Sequence, residues 1–134
     1  MASTARTDIF TLPRGHEFAP APLAITPAQV HAYLRAVGDP SDYGDTVPPL
    51  ALVALALQAL QEQFVLPPGT LHSGQEVEHA GVAEAGEELT LRGRIAQRSE
   101  RQGVVLCSVE YEIARGEETV IRAKSTVVTA GAAS

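Results

Sequence analysis

The sequence predicts an α+β fold in which a curved antiparallel sheet wraps around one long, buried helix. Two observations carry this. Leu50 to Leu57 is apolar at every position and runs on into "QALQEQF", and a helix apolar all round must be covered all round. After residue 88, three long segments alternate apolar and polar residues with a period of two, as half-buried strands do.

Taken in order, residues 1–12 look like a loose arm, and "FAPAPLAITP" is Pro/Ala-rich and extended. Thr26 is a helix N-cap with Pro27 at the first helical position. Val30, Tyr33, Leu34 and Val37 supply the apolar face, and Gly38 ends the helix. "DPSDYGD" is turn chemistry throughout. Pro48 and Pro49 open the second helix, expected from Pro48 to Phe64, because the first turn needs no proline N–H. Alanine and leucine dominate the run where a strand would favour valine and isoleucine. "LPPG" stops it.

"HSGQEVEH" reads as a strand. "ELTLRGRIAQR" sets Leu89, Leu91 and Ile95 on one face against Arg92 and Arg94. "GVVLCSVEYEI" sets Val105, Cys107, Val109, Tyr111 and Ile113 against Glu110 and Glu112, and "TVIRAKSTVVT" sets Ile121, Ala123 and Val127 against Arg122 and Lys124. The tight links "RSERQG" and "ARGEET" make these neighbours antiparallel. The whole is a single hot-dog domain over 1–134, with residues 130–134 a flexible tail and a second subunit able to cover what the sheet leaves of the helix.

Composition narrows the function classes. The chain has 134 residues, a net charge of −6 and a single cysteine. No intrachain disulfide is possible, which suits a reducing, cytoplasmic setting. The N-terminus does not read as a secretion signal, and no apolar run is long enough for a membrane helix. Lys124 is the only lysine, and no basic cluster interleaves with aromatics, so nucleic acid is not an expected partner. Arg92, Arg94, Arg98 and Arg101 form either the solvated face of a strand pair or a phosphate clamp. The histidines His16, His31, His72 and His79 show no zinc-ligand spacing, so no metal is expected.

In the order and spacing of "ITPAQVHAYLRAVGD", "VPPLAL", "LHSGQEVEHAGVAEAGEELTLRGRI" and "GVVLCSVEYEIARGEETVIRAKSTVV", the chain resembles the MaoC-like dehydratases, also called the (R)-specific enoyl-CoA hydratase-like family. The likeness covers roughly Ile25 to Val128 and is nearest to the domain forming the N-terminal half of two-domain members. The resemblance implies an acyl-thioester substrate carried by CoA or a carrier protein, no further cofactor, and a homodimer or a heterodimer with another hot-dog subunit. Active members carry Asp-x-Asn-Pro-x-His, whose Asp and His act on one water at the double bond of a trans-2-enoyl thioester.

Laid on "DPSDYG", the family pattern puts Asp39 at the catalytic Asp. Ser41 and Asp42 replace Asn and Pro, and Gly44 stands at the histidine position. The turn therefore looks like the remains of an active site. The candidate acids in place of the histidine are Tyr43 and His72. Val47, Pro48, Pro49 and Leu50, at the start of the buried helix, would hold the thioester, whose oxygen needs a hydrogen-bond donor. Three functions stay open: a hydratase with a modified site, a non-catalytic subunit lending its acyl-binding surface to a catalytic partner, and a thioesterase using Glu62 as base, with Gln58 one turn before it.

Overall fold

The computed structural model describes residues 7–129. These residues form two α-helices, a short 3-10 turn at Ile9–Thr11, a five-stranded antiparallel sheet and a small two-stranded parallel sheet. Helix α1 spans Pro27–Val37 and opens with a reciprocal capping box, in which the Gln29 amide donates to Thr26 Oγ1 and the Thr26 amide donates to Gln29 Oε1. Gly38, at φ 70°, closes it in the left-handed conformation that favours glycine. Val30 and Leu34 are buried, whereas Val37, expected on the same face, is 56% exposed.

Helix α2 spans Pro49–Leu60, shorter than the expected Pro48 to Phe64. Two interactions pull "QEQF" out of the helix. The Gln63 side chain makes a two-way hydrogen bond with the Ala19 backbone, at 3.0 and 3.1 Å. Phe64–Val65 forms strand β3, which pairs in parallel with Thr7–Asp8, strand β1. The N-terminal arm is thereby corrected. Residues 7–12 pack onto the core: Ile9, Phe10 and Leu12 are buried, and Arg98 Nε donates to the Phe10 carbonyl at 2.8 Å. Residues 1–6 of the expected arm and the 130–134 tail lie outside the described residues.

The main sheet has the order β2 (Ala21–Leu23), β5 (Leu89–Arg101), β6 (Val104–Arg115), β7 (Glu118–Thr129), β4 (Thr70–His79). Its alternation is the one the sequence predicts. Leu89, Leu91, Ile95, Cys107, Val109, Tyr111, Ile113, Ile121, Ala123 and Val127 are buried. A bulge between His72 and Gly74 shifts the register of β4 and resets which of its side chains face inward. At the rim of the interior, Gln75 Nε2 donates to the Tyr111 hydroxyl at 2.8 Å and Ser125 Oγ donates to Gln75 Oε1 at 2.9 Å, so the buried Tyr111 and Ser125 hydroxyls are paired.

Helix α2 is covered on one side only. Ala51, Leu52, Val53, Ala56 and Leu60 are buried, Leu55, Leu57 and Ala59 are half-buried, and Leu50, Ala54 and Gln58 face outward at a four-residue spacing. Complete cover along the helix is thus not supplied by this chain's own sheet. Helix and sheet come close at Gly93 of β5, where an added Cβ would meet Leu60 Cδ1 at 3.1 Å.

Cys107 lies at this apolar interior, and burial pushes its thiol up to about 11. Only the thiolate is reactive. Iodoacetamide at pH 8 is therefore expected to leave Cys107 unmodified in the folded protein and to label it on denaturation, with mass spectrometry as the readout; rapid labelling of the native chain would contradict its placement.

Candidate functional site

The turn between α1 and α2 is built by short-range hydrogen bonds. The Asp39 amide donates to the Leu34 carbonyl at 2.9 Å, which fixes the residue just past the glycine cap. Asp39 Oδ1 accepts from the Ser41 amide at 2.8 Å, and Asp42 Oδ1 accepts from the Gly44 amide at 2.9 Å. These are the local loops that Asp side chains form with the backbone two residues on. The Tyr43 hydroxyl donates to Asp39 Oδ2 at 2.8 Å. Of the residues the sequence singles out, Asp39 and Tyr43 are thus brought together.

Their electrostatics run against acid–base work. The Ser41 amide, together with the Ser41 and Tyr43 hydroxyls, holds the Asp39 carboxyl below its ordinary value. The same hydrogen bond to Asp39, followed by burial and the Asp39 charge, pushes the Tyr43 phenol above its own. A working general acid or base is tuned toward the operating pH; here both groups move away from it.

Because the folded-state value of Asp39 is lowered, its hydrogen bonds are fully present above the ordinary aspartate value of about 3.9 and are lost as pH falls through the lowered one. Tyr43→Phe removes one of the causes. Its Asp39 carboxyl is expected to titrate closer to the ordinary value than in the unmodified protein, as carbon-detected NMR would measure. An unchanged midpoint would mean that the Tyr43 hydrogen bond does not hold Asp39.

Gly44 has φ 62°, and a Cβ there would meet nothing within 4 Å. The position offers room but a backbone that side chains rarely adopt. Beyond it, residues 45–47 pair with the loop before β5: the Ala85 amide donates to the Asp45 carbonyl at 2.7 Å, and the Val47 amide donates to the Ala83 carbonyl at 2.8 Å. That loop is pinned in turn by Glu87, which accepts from the Glu84 amide at 2.7 Å and from Arg115 Nη1 at 2.8 Å. Sequence reasoning missed Arg115 and Glu87 as the pair that positions the turn. Their separation along the chain hides them, and "AGEE" reads as an ordinary hairpin approach.

Val47 and Pro48 are buried, while Pro49 and Leu50 are exposed. Neither proline carries an N–H, and the Leu52 amide is taken by the Pro48 carbonyl at 3.0 Å. Leu50 and Ala51 therefore hold the first amides that a helix start leaves without an intrahelical partner. The helix dipole adds a partial positive charge at the same end.

His72 is not part of this arrangement. It sits on β4 and lines a cavity of about 100 Å³ together with Ile9, Leu57, Gln61, Phe64 and Ser125. The turn borders a different hollow, lined by His31, Leu34, Tyr43 and Gly44. Leu57, on the His72 cavity, is eight residues along α2 from Pro49, a rise of roughly 12 Å along the helix at 1.5 Å per residue. The expectation that His72 could serve as the acid for Asp39 is corrected: it lies near the opposite end of the helix. Glu62 follows the C-cap of α2 and is exposed, as is Gln58.

The arginines expected in one cluster separate by role. Arg98 ties down the N-terminal segment, whereas Arg94 pairs with Glu110 at 2.7 Å on the outer face of the sheet. Among the described residues, no group of three or more His, Cys, Asp or Glu is arranged to hold a metal ion. No helix among them is long and apolar enough to cross a membrane.

No protein-family model matches the sequence, and no curated protein matches it. The fold, in contrast, is found in many solved structures. The (R)-hydratase from A. caviae involved in PHA biosynthesis is similar with a TM-score of 0.70 at 17% identity, over 87% of this chain and 96% of that one. The MaoC-like dehydratase from Rhodospirillum rubrum gives 0.68 at 16% identity, over 88% and 92%. The structure of the ChsH1–ChsH2 complex from Mycobacterium tuberculosis gives 0.68 at 12% identity, over 88% and 91%. The chain has the hot-dog fold of these proteins, and the resemblance read from its motifs stands at the level of that fold.

Proposed function

We propose that the chain is a MaoC-like hydratase/dehydratase-family protein that acts as a non-catalytic, acyl-thioester-binding subunit beside a catalytic hot-dog partner. The observation that carries this reading is the state of the motif turn. Asp39 is occupied by Ser41 and Tyr43, and the position of the family histidine is Gly44. The start of α2 keeps the amide of exposed Leu50 without an intrahelical partner, and the positive end of the helix dipole lies there, which suits a thioester oxygen. The uncovered flank of the helix suits a second subunit, and the likeness to a chain of a two-protein complex supports that arrangement.

No cofactor is needed for such a role, since the thioester is itself the ligand. The thioesterase reading has less support, because Glu62 is exposed beyond the end of the helix. The hydratase reading rests on the Asp39–Tyr43 hydrogen bond, and the direction of both titrations argues against it.

The test is to measure acyl-CoA binding by calorimetry and crotonyl-CoA hydration by absorbance, with the pure chain and then with a hot-dog subunit that has an intact motif. Binding without turnover by the chain alone, and altered turnover in the mixture, is the expected result. Robust turnover alone would return the chain to the enzymes.

A further inference from the structure

The net charge of the molecule sits at one end. Asp39, Asp42 and Asp45 lie in the turn that leads into α2. Glu84, Glu87 and Glu88 lie in the loop tied to that turn, through the Ala85 amide on the Asp45 carbonyl and the Val47 amide on the Ala83 carbonyl. Glu117 and Glu118 belong to the hairpin between β6 and β7. Arg115 joins this hairpin to the loop, reaching Glu87 at 2.8 Å and Glu118 at 3.0 Å.

On α1, the turn, the loop and the hairpin, the basic residues are Arg35 and Arg115. Eight acidic residues against two basic ones give a formal charge of −6, which is the charge of the whole chain. The other eight of its 16 acidic residues and the other eight of its 10 basic ones cancel. Asp42, Asp45, Glu84, Glu88, Glu117 and Glu118 are exposed, and Arg115 is already engaged by two glutamates.

The start of α2, with the Leu50 amide, lies between the acidic turn and the acidic loop. An acyl-CoA whose thioester oxygen reached it would carry a neutral pantetheine arm and, beyond the arm, a nucleotide end bearing a diphosphate and a further phosphate. Proteins hold phosphates with Arg and Lys; here the phosphates meet like charge. The helix dipole offsets only about half a charge and acts within the first turn. The repulsion reaches about 30 Å at 0.01 M ionic strength and about 10 Å at 0.1 M. The acyl group and the arm carry no charge and are spared it. A site discriminates by what it repels as well as by what it holds.

We infer that this site accepts the acyl group and the pantetheine arm and disfavours the phosphates of CoA, which need cations supplied by the catalytic partner. This deepens the thioester-binding reading above and rests on it.

The experiment compares crotonyl-pantetheine with crotonyl-CoA on the pure chain by calorimetry, at 0.01 M and 0.15 M salt. At the lower salt crotonyl-pantetheine is expected to bind roughly tenfold more tightly, and added salt should strengthen crotonyl-CoA binding until the two differ by about twofold. Glu84→Lys/Glu88→Lys changes two exposed side chains of the loop. It is expected to bind crotonyl-CoA roughly tenfold more tightly than the unmodified chain at low salt and to leave crotonyl-pantetheine within about twofold.

Crotonyl-CoA binding as tightly as crotonyl-pantetheine at low salt, or weakening as salt rises, would overturn the inference and leave the thioester-binding reading standing. So would a lysine variant whose two affinities rise together. Binding of neither thioester would overturn that reading and the inference with it.

Discussion

Assayed alone, the chain is expected to hydrate crotonyl-CoA about 10²–10⁴-fold more slowly than a hydratase carrying both Asp and His, which is the usual worth of a positioned general acid or base. The missing group is at Gly44, and neither of the two candidate acids, Tyr43 and His72, replaces it. Tyr43 is turned onto Asp39, and its phenol is pushed above its ordinary value by that contact. His72 borders another cavity, near the far end of α2. Asp39→Ala should therefore leave any residual rate unchanged while loosening the turn.

Gly44→His tests the converse, and the backbone sets its outcome. There is open space for the new side chain, but φ is 62°. Histidine is among the residues that tolerate this region better than most, so the variant is expected to fold at a modest cost and to gain little rate, because Asp39 remains tied to Ser41 and Tyr43. The double variant Gly44→His/Tyr43→Phe frees one carboxylate oxygen and should gain more. Turnover by the unmodified chain that vanishes in Asp39→Ala would defeat the non-catalytic reading.

The largest stability effect is expected at Leu60. Its side chain is fully buried and lies on Gly93, where β5 has no side chain to hold the helix away. Leu60→Ala removes the apolar contact and leaves a hole bounded by backbone, which cannot collapse as side chains can. Substitutions of this kind cost about 2–5 kcal/mol, and the absence of a Cβ at Gly93 puts this one in the upper half of the range. At this chain length the melting midpoint should fall by roughly 10 °C or more. Leu50→Ala on the exposed flank of the same helix serves as the control and should change the isolated chain by less than about 0.5 kcal/mol. A similar loss at both positions would mean that the flank is covered in solution, and that the chain measured was already an assembly.

The fold was legible wherever one face of an element is buried and the other wet. The alternation of β5, β6 and β7, and the capping residues of α1, state their own geometry because local pattern and burial agree. The length of α2 was not legible. "QEQF" continues the helical run locally, and only contacts with Ala19 and Thr7, 44 and 57 residues away along the chain, break it. For the same reason residues 7–12 resembled a loose arm until Ile9 and Phe10 found their places.

The site was half legible. The sequence marks Asp39 and the loss at Gly44, and it offers Tyr43. It cannot show that Tyr43 reaches Asp39 instead of a substrate, nor that His72 stands at the other end of the helix. Those depend on how the turn closes and on which end of α2 meets β4.

The order in which the chain is made bears on α2 as well. The helix ends at Leu60, while the strands that cover it, β5 to β7, run from Leu89 to Thr129. A ribosome adding about 5–20 residues per second takes roughly 3–14 seconds to cross the interval between Leu60 and Thr129. For that time the most apolar segment of the protein is present and its cover is not, so every nascent copy offers a binding site for the chaperones that receive new chains. The adjoining "QEQ" then acts on the newborn chain, setting a polar border to the segment before β4 to β7 exist.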